Sequence, residues 1–96
     1  MVWRKDAGPV VPGQLLLVKV GIRLRGGSRA RPEEHELPFR ELADVRIAQG
    51  AEERIQGLPS LLLELRSLDR FFVAGVGGLG VVNELADLIA VARSLA

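Results

Sequence analysis

The stretch FFVAGVGGLGVVNELADLIAVARSLA, residues 71–96, decides the fold class, because the spacing of its apolar residues changes along it. Up to Val76 the apolar residues are mostly adjacent, which is typical of a short β-strand. From residue 81 they recur at steps of three and four, which predicts an amphipathic helix of about four turns at about 3.6 residues per turn. The apolar positions of this helix are Val81, Val82, Leu85, Leu88, Ile89, Ala92 and Leu95.

Four more strands are predicted upstream. Residues 14–25 alternate apolar and polar side chains, which predicts one half-buried strand with a bulge or bend at Gly21. In this strand, the even-numbered apolar residues face the core, and Leu15 and Leu17 point away from it. Residues 35–39 form a second strand, which is an edge strand or ends at Pro38 because proline lacks a backbone donor. Residues 45–47 form a third strand, and residues 61–65 form a hairpin with the strand at 71–76.

Residues 1–13 are expected to be an entry segment, because Pro9, Pro12 and Gly13 are turn formers. Trp3 would then anchor a tail on the surface or serve at an interface. Residues 14–96 are expected to form one domain, since a chain of 96 residues is long enough for one core. A run of antiparallel strands followed by one helix predicts an α+β fold. In it, the C-terminal amphipathic helix packs on a bent antiparallel sheet or open barrel.

The glycine-rich sequence GVGGLG, residues 75–80, matches the G-x-G-x-x-G fingerprint of dinucleotide-binding units. Such a unit needs a second parallel strand after the helix and an acidic residue about 20 positions on. Because the sequence ends at Ala96, where the helix closes, we expect this motif to be a strand-to-helix connection with one glycine at positive φ, and we expect no cofactor.

Composition excludes several classes of site. The chain has no cysteine and one histidine, so we expect no disulfide, no thiolate nucleophile and no metal site. His35 could in principle act as a base, but no nucleophile motif accompanies it, so we expect no catalytic residue and no enzyme activity. The net charge of +1 is far from that of a dedicated nucleic-acid binder. The first residues lack a secretory apolar region and no segment is long enough to span a bilayer, so we expect a cytoplasmic protein.

The order of these elements resembles a bacterial pleckstrin-homology-like (PH-like) domain. The closest local likeness is HELPFRELADVRI, residues 35–47, where a strand ends in Pro-Phe and Leu42 precedes the next strand. The resemblance covers roughly residues 12–96. It implies a strongly bent antiparallel sheet with a C-terminal helix over one end. It also implies phosphoinositide head-group binding by basic residues of the first strands. The sequence pattern of such a site is loosely a lysine followed, at a distance, by a basic residue, any residue and an arginine.

Five basic residues and no acid lie between residues 19 and 31, and they are the candidate anion-binding residues: Lys19, Arg23, Arg25, Arg29 and Arg31. The alternative is a solvated strand face whose arginines pair across a hairpin with Glu33, Glu34 and Glu36.

The leading functional hypothesis is a non-enzymatic interaction module. It would bind another protein or assemble with copies of itself, because antiparallel edges invite pairing and because Leu15, Leu17 and Leu62 suggest a second buried surface. The alternative is an adaptor that binds an anion or an acidic lipid at a membrane surface through residues 19–31.

Overall fold

Seven strands form one antiparallel sheet, and a helix follows them. The computed structural model describes residues 1–95. Its elements are β1 (Val2–Lys5), β2 (Val11–Val18), β3 (Gly21–Gly27), β4 (Pro32–Pro38), a 3₁₀ turn (Phe39–Glu41), β5 (Leu42–Ala48), β6 (Ser60–Leu65), β7 (Arg70–Ala74) and α1 (Leu79–Leu95). The strand order is β4-β3-β2-β1-β7-β6-β5, and each neighbouring pair is antiparallel. The sheet is open, with β4 and β5 at its edges. The predicted α+β class, an open antiparallel sheet with a C-terminal helix, is confirmed.

The interpretation of residues 1–13 as an entry segment was wrong, because β1 lies in the middle of the sheet. It pairs with β2 through Val2 and Trp3 and with β7 along its whole length. Trp3 is only 1% exposed and belongs to the main core, so it is not a surface anchor. Its indole N–H donates to the carbonyl oxygen of Arg25 at 2.9 Å. The N-terminal residues therefore join the two halves of the sheet.

The single strand predicted over residues 14–25 is also corrected. The chain reverses at Lys19 and Val20, so that β2 and β3 form a hairpin with a two-residue turn. This reversal changes which residues share a face. Leu15 lies opposite Leu24 and packs against the core, whereas Leu16 lies opposite Arg23 on the outer face. The prediction that Leu15 points away from the core was therefore wrong.

Two glycines allow the sheet to bend where β2 changes partner. Val11 and Pro12 of β2 pair with β1, and from Gly13 onward β2 pairs with β3. Gly13 lies opposite Gly26, and a Cβ atom on Gly13 would lie 1.8 Å from the carbonyl oxygen of Arg25. Backbones this close leave no room for a side chain, so glycine is required here.

The main core lies between the bent sheet and α1. Its buried side chains come from every strand and from the helix, and include Trp3, Ile22, Leu37, Leu63 and Val82. On α1, Val82 and Ile89 are buried and Leu85, Ala86 and Ala92 pack against the core. Arg93 Nη2 donates to the carbonyl oxygen of Leu42 at 2.9 Å, which holds the end of the helix against β5.

A smaller apolar cluster fills the opposite face of β6 and β7. It comprises Ala48, Ile55, Leu62, Phe72 and Ala74, with Val2 and Leu58 partly buried against it. The connection between β5 and β6, residues 49–59, covers this face, and within it Ile55 bonds to Leu58 through both backbone groups. The second apolar face predicted from Leu62 is therefore buried within the chain itself.

Other sequence predictions are confirmed. β4 is an edge strand and ends at Pro38, as proline requires. β5 covers the strand predicted around residues 45–47, and β6 and β7 form the predicted hairpin. The predicted helix is α1, which begins at Leu79, directly after Gly77 and Gly78.

Candidate functional site

The five predicted basic residues do not meet at one place. Lys19 lies in the turn between β2 and β3, whereas Arg29 and Arg31 lie in the connection between β3 and β4. These two loops are at opposite ends of β3, whose seven residues span about 20 Å at about 3.3 Å per residue. Arg23 and Arg25 project from β3 between them. In the described part of the chain, the five residues do not line a single pocket. Anion binding at either end of β3 stays a prediction.

The two arginines of β3 are paired with acids of β4. Arg23 Nη2 lies 2.9 Å from Glu36 Oε1, and Arg23 Nε lies 3.4 Å from Glu34 Oε1. Arg25 Nε lies 3.0 Å from Glu34 Oε2. The register places Arg23 directly opposite Glu36 and Arg25 opposite Glu34, so these pairs are cross-strand neighbours. The expected pairing across the hairpin is confirmed for Glu34 and Glu36, and the face is a ladder of exposed ion pairs.

Lys19 instead lies beside an apolar depression near the end of α1. The depression is about 350 Å³ in volume and is lined by Lys19, Val20, Phe39, Arg40 and Leu95. Val20 is 66% exposed and Leu95 is 82% exposed. Among residues 1–95, neither Lys19 nor Arg40 has a carboxylate within 4.0 Å. Two cations without an acidic partner in the described part of the chain therefore lie next to exposed aliphatic side chains.

The outer face of α1 carries a second line of apolar residues. Leu88, Val91 and Leu95 are 50%, 58% and 82% exposed. Their spacing of three and four residues places them on one side of the helix, away from the buried Ile89. Leu95 connects this line to Val20. We call Val20, Leu88, Val91 and Leu95 the α1 patch. Contiguous exposed apolar side chains on a small protein often mark a site of interaction.

The glycine-rich connection has the geometry of a turn before a helix. Gly78 has a φ of +63°, and its backbone N–H donates to the carbonyl oxygen of Gly75. The expected positive-φ glycine is thus confirmed. The preceding strand β7 is antiparallel to both of its neighbours, whereas a dinucleotide unit is built on parallel strands. Val76 in this connection is 96% exposed.

His35 packs as an aromatic ring. Its ring centroid lies 5.4 Å from that of Trp3, edge to face, and 5.1 Å from that of Phe71. Across residues 1–95, no group of three or more histidine, cysteine, aspartate or glutamate side chains has the arrangement of a metal site.

Sequence reasoning missed a pair of arginines on the outer face of β1 and β7. The guanidinium carbons of Arg4 and Arg70 lie 4.7 and 5.7 Å from the centroid of the Phe72 ring. They line a groove of about 770 Å³ together with residues 50–53. The alternation of Arg70 and Phe72 in β7 was a visible signal, but Arg4 fell in residues 1–13, which were interpreted as an entry segment outside the domain.

No family model, curated protein or solved structure matches this chain. In the part of the chain that the structure describes, no helix combines the length and the apolar character needed to cross a bilayer.

Proposed function

We propose that this protein is a PH-like interaction module that self-associates through the α1 patch. The antiparallel seven-stranded sheet followed by one C-terminal helix is consistent with a PH-like fold. The observation that carries the proposal is the exposure of Leu88, Val91 and Leu95 on a helix whose opposite side is already buried in the core. Burial of apolar area is the main favourable term in protein association, and these side chains have no partner within the described chain.

The charges around the α1 patch favour a second copy of the chain as the partner. Glu84 and Asp87 are exposed on α1 before Leu88, and Lys19 and Arg40 lie beyond Leu95. Within residues 1–95, none of these four side chains is in an ion pair. The patch therefore has an acidic end, an apolar centre and a basic end.

A two-fold axis near Val91 would make this arrangement complementary to itself. In a two-fold interface the same surface is used by both copies, so each contact occurs twice. Two antiparallel α1 helices would place Leu88 of one copy against Leu95 of the other. The acidic end of each copy would face the basic end of its neighbour. Opposed charges of this kind fix the register of an interface more than they raise its affinity.

The edges of the sheet are less suited to self-assembly than the α1 patch is. β4 begins at Pro32, ends at Pro38 and carries three glutamates, and prolines and charges of this kind discourage edge pairing. β5 carries Asp44 and Arg46 at its edge of the sheet. Pairing through β5 remains the alternative route to an oligomer, as does binding of another protein at the α1 patch.

Sedimentation equilibrium over micromolar to millimolar concentrations tests the proposal. We expect a monomer–dimer equilibrium for the natural chain. Val91→Asp should shift it to monomer while the far-ultraviolet circular dichroism spectrum stays unchanged. Val76→Asp is the matched control, since it makes the same substitution at an exposed valine outside the α1 patch. A natural chain that stays monomeric throughout would overturn the proposal.

Charge reversal tests the antiparallel arrangement. Glu84→Lys and Lys19→Glu should each weaken the dimer, and the double variant should recover part of the loss because opposite charges again face each other. A dimer that persists unchanged in Val91→Asp would show that the α1 patch is not the interface and would direct attention to the β5 edge.

A further inference from the structure

The groove between β1, β7 and residues 50–53 has features of a binding site that the α1 patch does not share. Its volume is about 770 Å³, and its lining includes Arg4, Asp6, Glu52, Glu53, Arg70 and Phe72. None of these residues belongs to the α1 patch. The groove is therefore independent of the proposed dimer.

Strand register brings the two arginines together over one ring. Arg4 lies directly opposite Phe72 in the β1–β7 pair, and Arg70 lies two residues before Phe72 on the same strand. All three side chains therefore project from the same face of the sheet. Phe72 is only 3% exposed and is held in the smaller apolar cluster. The ring is a fixed support for both guanidinium groups through cation–π contact.

Neither arginine has an acidic partner among the residues that the structure describes. Arg23, Arg25 and Arg46 each lie within 4.0 Å of a carboxylate, whereas within residues 1–95 no carboxylate is that close to Arg4 or Arg70. Arg4 Nη2 donates to the backbone carbonyl oxygen of Glu52 at 2.7 Å. Its Nε is buried and has no hydrogen-bond partner within the described chain. A buried donor on a charged group without an acceptor is uncommon in a folded protein, and an anion in the groove would accept from it only after a shift of the Arg4 side chain.

The acids that line the groove differ in how far they are engaged elsewhere. Glu53 accepts from the Gly50 backbone N–H and lies 3.4 Å from Arg46 Nη2. Asp6 Oδ1 accepts from the backbone N–H of Arg70. Glu52 is exposed, and only its carbonyl oxygen is bonded to Arg4. Within residues 1–95, no cation lies within 4.0 Å of the carboxylate of Asp6 or of Glu52, so both acids compete with an incoming anion, whereas Glu53 is paired with Arg46.

We propose that this groove binds an oxyanion of the phosphate monoester class between Arg4 and Arg70. Guanidinium groups present paired N–H donors that match the oxygen geometry of phosphate. The Phe72 ring and the Glu52 carbonyl oxygen hold the Arg4 guanidinium before binding, so less freedom of that side chain is lost when the anion binds. The phosphate can belong to a soluble molecule or to a lipid head group, because the groove is open and both present the same terminal oxygens.

Titration with inorganic phosphate at constant ionic strength, followed by ¹⁵N–¹H NMR, tests this site. We expect a saturable shift of the Arg4 Nε–H signal. Arg70→Gln should weaken binding by about tenfold, as expected for loss of a hydrogen bond between charged groups. Glu52→Gln should tighten binding because it removes a competing carboxylate. Arg66→Gln is the control, since Arg66 is an exposed arginine outside the groove and is not one of the candidate anion-binding residues.

Vesicles distinguish the two sources of phosphate. Arg70-dependent binding to vesicles of phosphatidylcholine with phosphatidic acid, in the absence of a response to free phosphate, would assign the ligand to a lipid head group. A saturable response to free phosphate assigns it to soluble phosphate. The proposal is overturned if neither probe binds, or if Arg66→Gln weakens binding as much as Arg70→Gln does.

Discussion

The indole N–H of Trp3 donates to the backbone carbonyl oxygen of Arg25 at 2.9 Å, across the strand that lies between them. Trp3 is on β1 and Arg25 is on β3, so the bond crosses β2 where that strand carries Gly13. The absence of a side chain at Gly26 leaves space for the indole nitrogen, and its absence at Gly13 leaves space for the Arg25 carbonyl group that accepts the bond. One tryptophan and two glycines thus fix the bend of the sheet.

Replacement of Trp3 by phenylalanine tests the hydrogen bond at this bend. The variant keeps an aromatic ring but leaves the Arg25 carbonyl oxygen without its donor, so we expect a loss of about 1–3 kcal/mol in the free energy of unfolding. Urea denaturation followed by circular dichroism measures it, because the variant lacks the chain's only tryptophan. Val76→Ala should leave the midpoint unchanged. An equal midpoint for Trp3→Phe and the natural chain would show that the bond contributes nothing.

Two glycine-to-alanine variants should act in opposite directions. Gly13→Ala places a Cβ atom against the Arg25 backbone, so we expect destabilisation of about 1–3 kcal/mol or failure to fold. Gly80→Ala meets no atom within 4 Å and lies in the first turn of α1, so it should stabilise the protein by up to about 1 kcal/mol. Thermal melts of the two variants compare them. A neutral Gly13→Ala would contradict the role assigned to this close approach.

Removal of the Arg93 side-chain donor should loosen the end of α1. Arg93→Gln cannot reach the Leu42 carbonyl oxygen in the same way, and we expect a loss of about 1 kcal/mol, typical of one hydrogen bond. Hydrogen exchange should rise in the last turns of α1 and at the start of β5, with little change in β2 and β3. Arg29→Gln is a suitable control in a loop far from the helix. Uniform protection in Arg93→Gln would argue against this attachment.

The ladder between β3 and β4 should contribute little to stability. A double-mutant cycle on Arg23 and Glu36 should give a coupling energy of about 0.2–1 kcal/mol, because both side chains are partly exposed to solvent. The coupling should shrink as salt rises, since exposed charges are screened over about 10 Å at 0.1 M. A coupling that is large and independent of salt would mean that these arginines lie in a less polar environment than their exposure indicates.

Local patterns were sufficient for the helix and for the β6–β7 hairpin, because each is built from neighbouring residues. They failed for the β2–β3 hairpin. Leu15, Leu16 and Leu17 are consecutive, so the sequence does not show which of them faces the core, and the alternation continues unbroken through Val20. The two-residue turn shifts the inward face from odd to even positions. Only the pairing of the strands shows that shift.

The candidate sites were predictable only in part for the same reason. The cluster of basic residues from Lys19 to Arg31 is visible in the sequence, and so is its possible pairing with nearby glutamates. The meeting of Arg4 with Arg70 depends on the register of β1 against β7, two strands at opposite ends of the described chain. Contacts between distant segments depend on packing, which periodicity does not report.

The central place of β1 has a consequence for how the sheet is assembled as the chain is synthesised. Of the seven strands, β1 is synthesised first and β7 last. The longer pairing of β1 is nevertheless with β7. Until β7 is made, β1 is joined to β2 through only Val2 and Trp3. A nascent chain would hold two partial sheets with an unpaired strand edge between them. Pairing between such distant segments is slow, so the last step of folding should be the joining of β7 to β1.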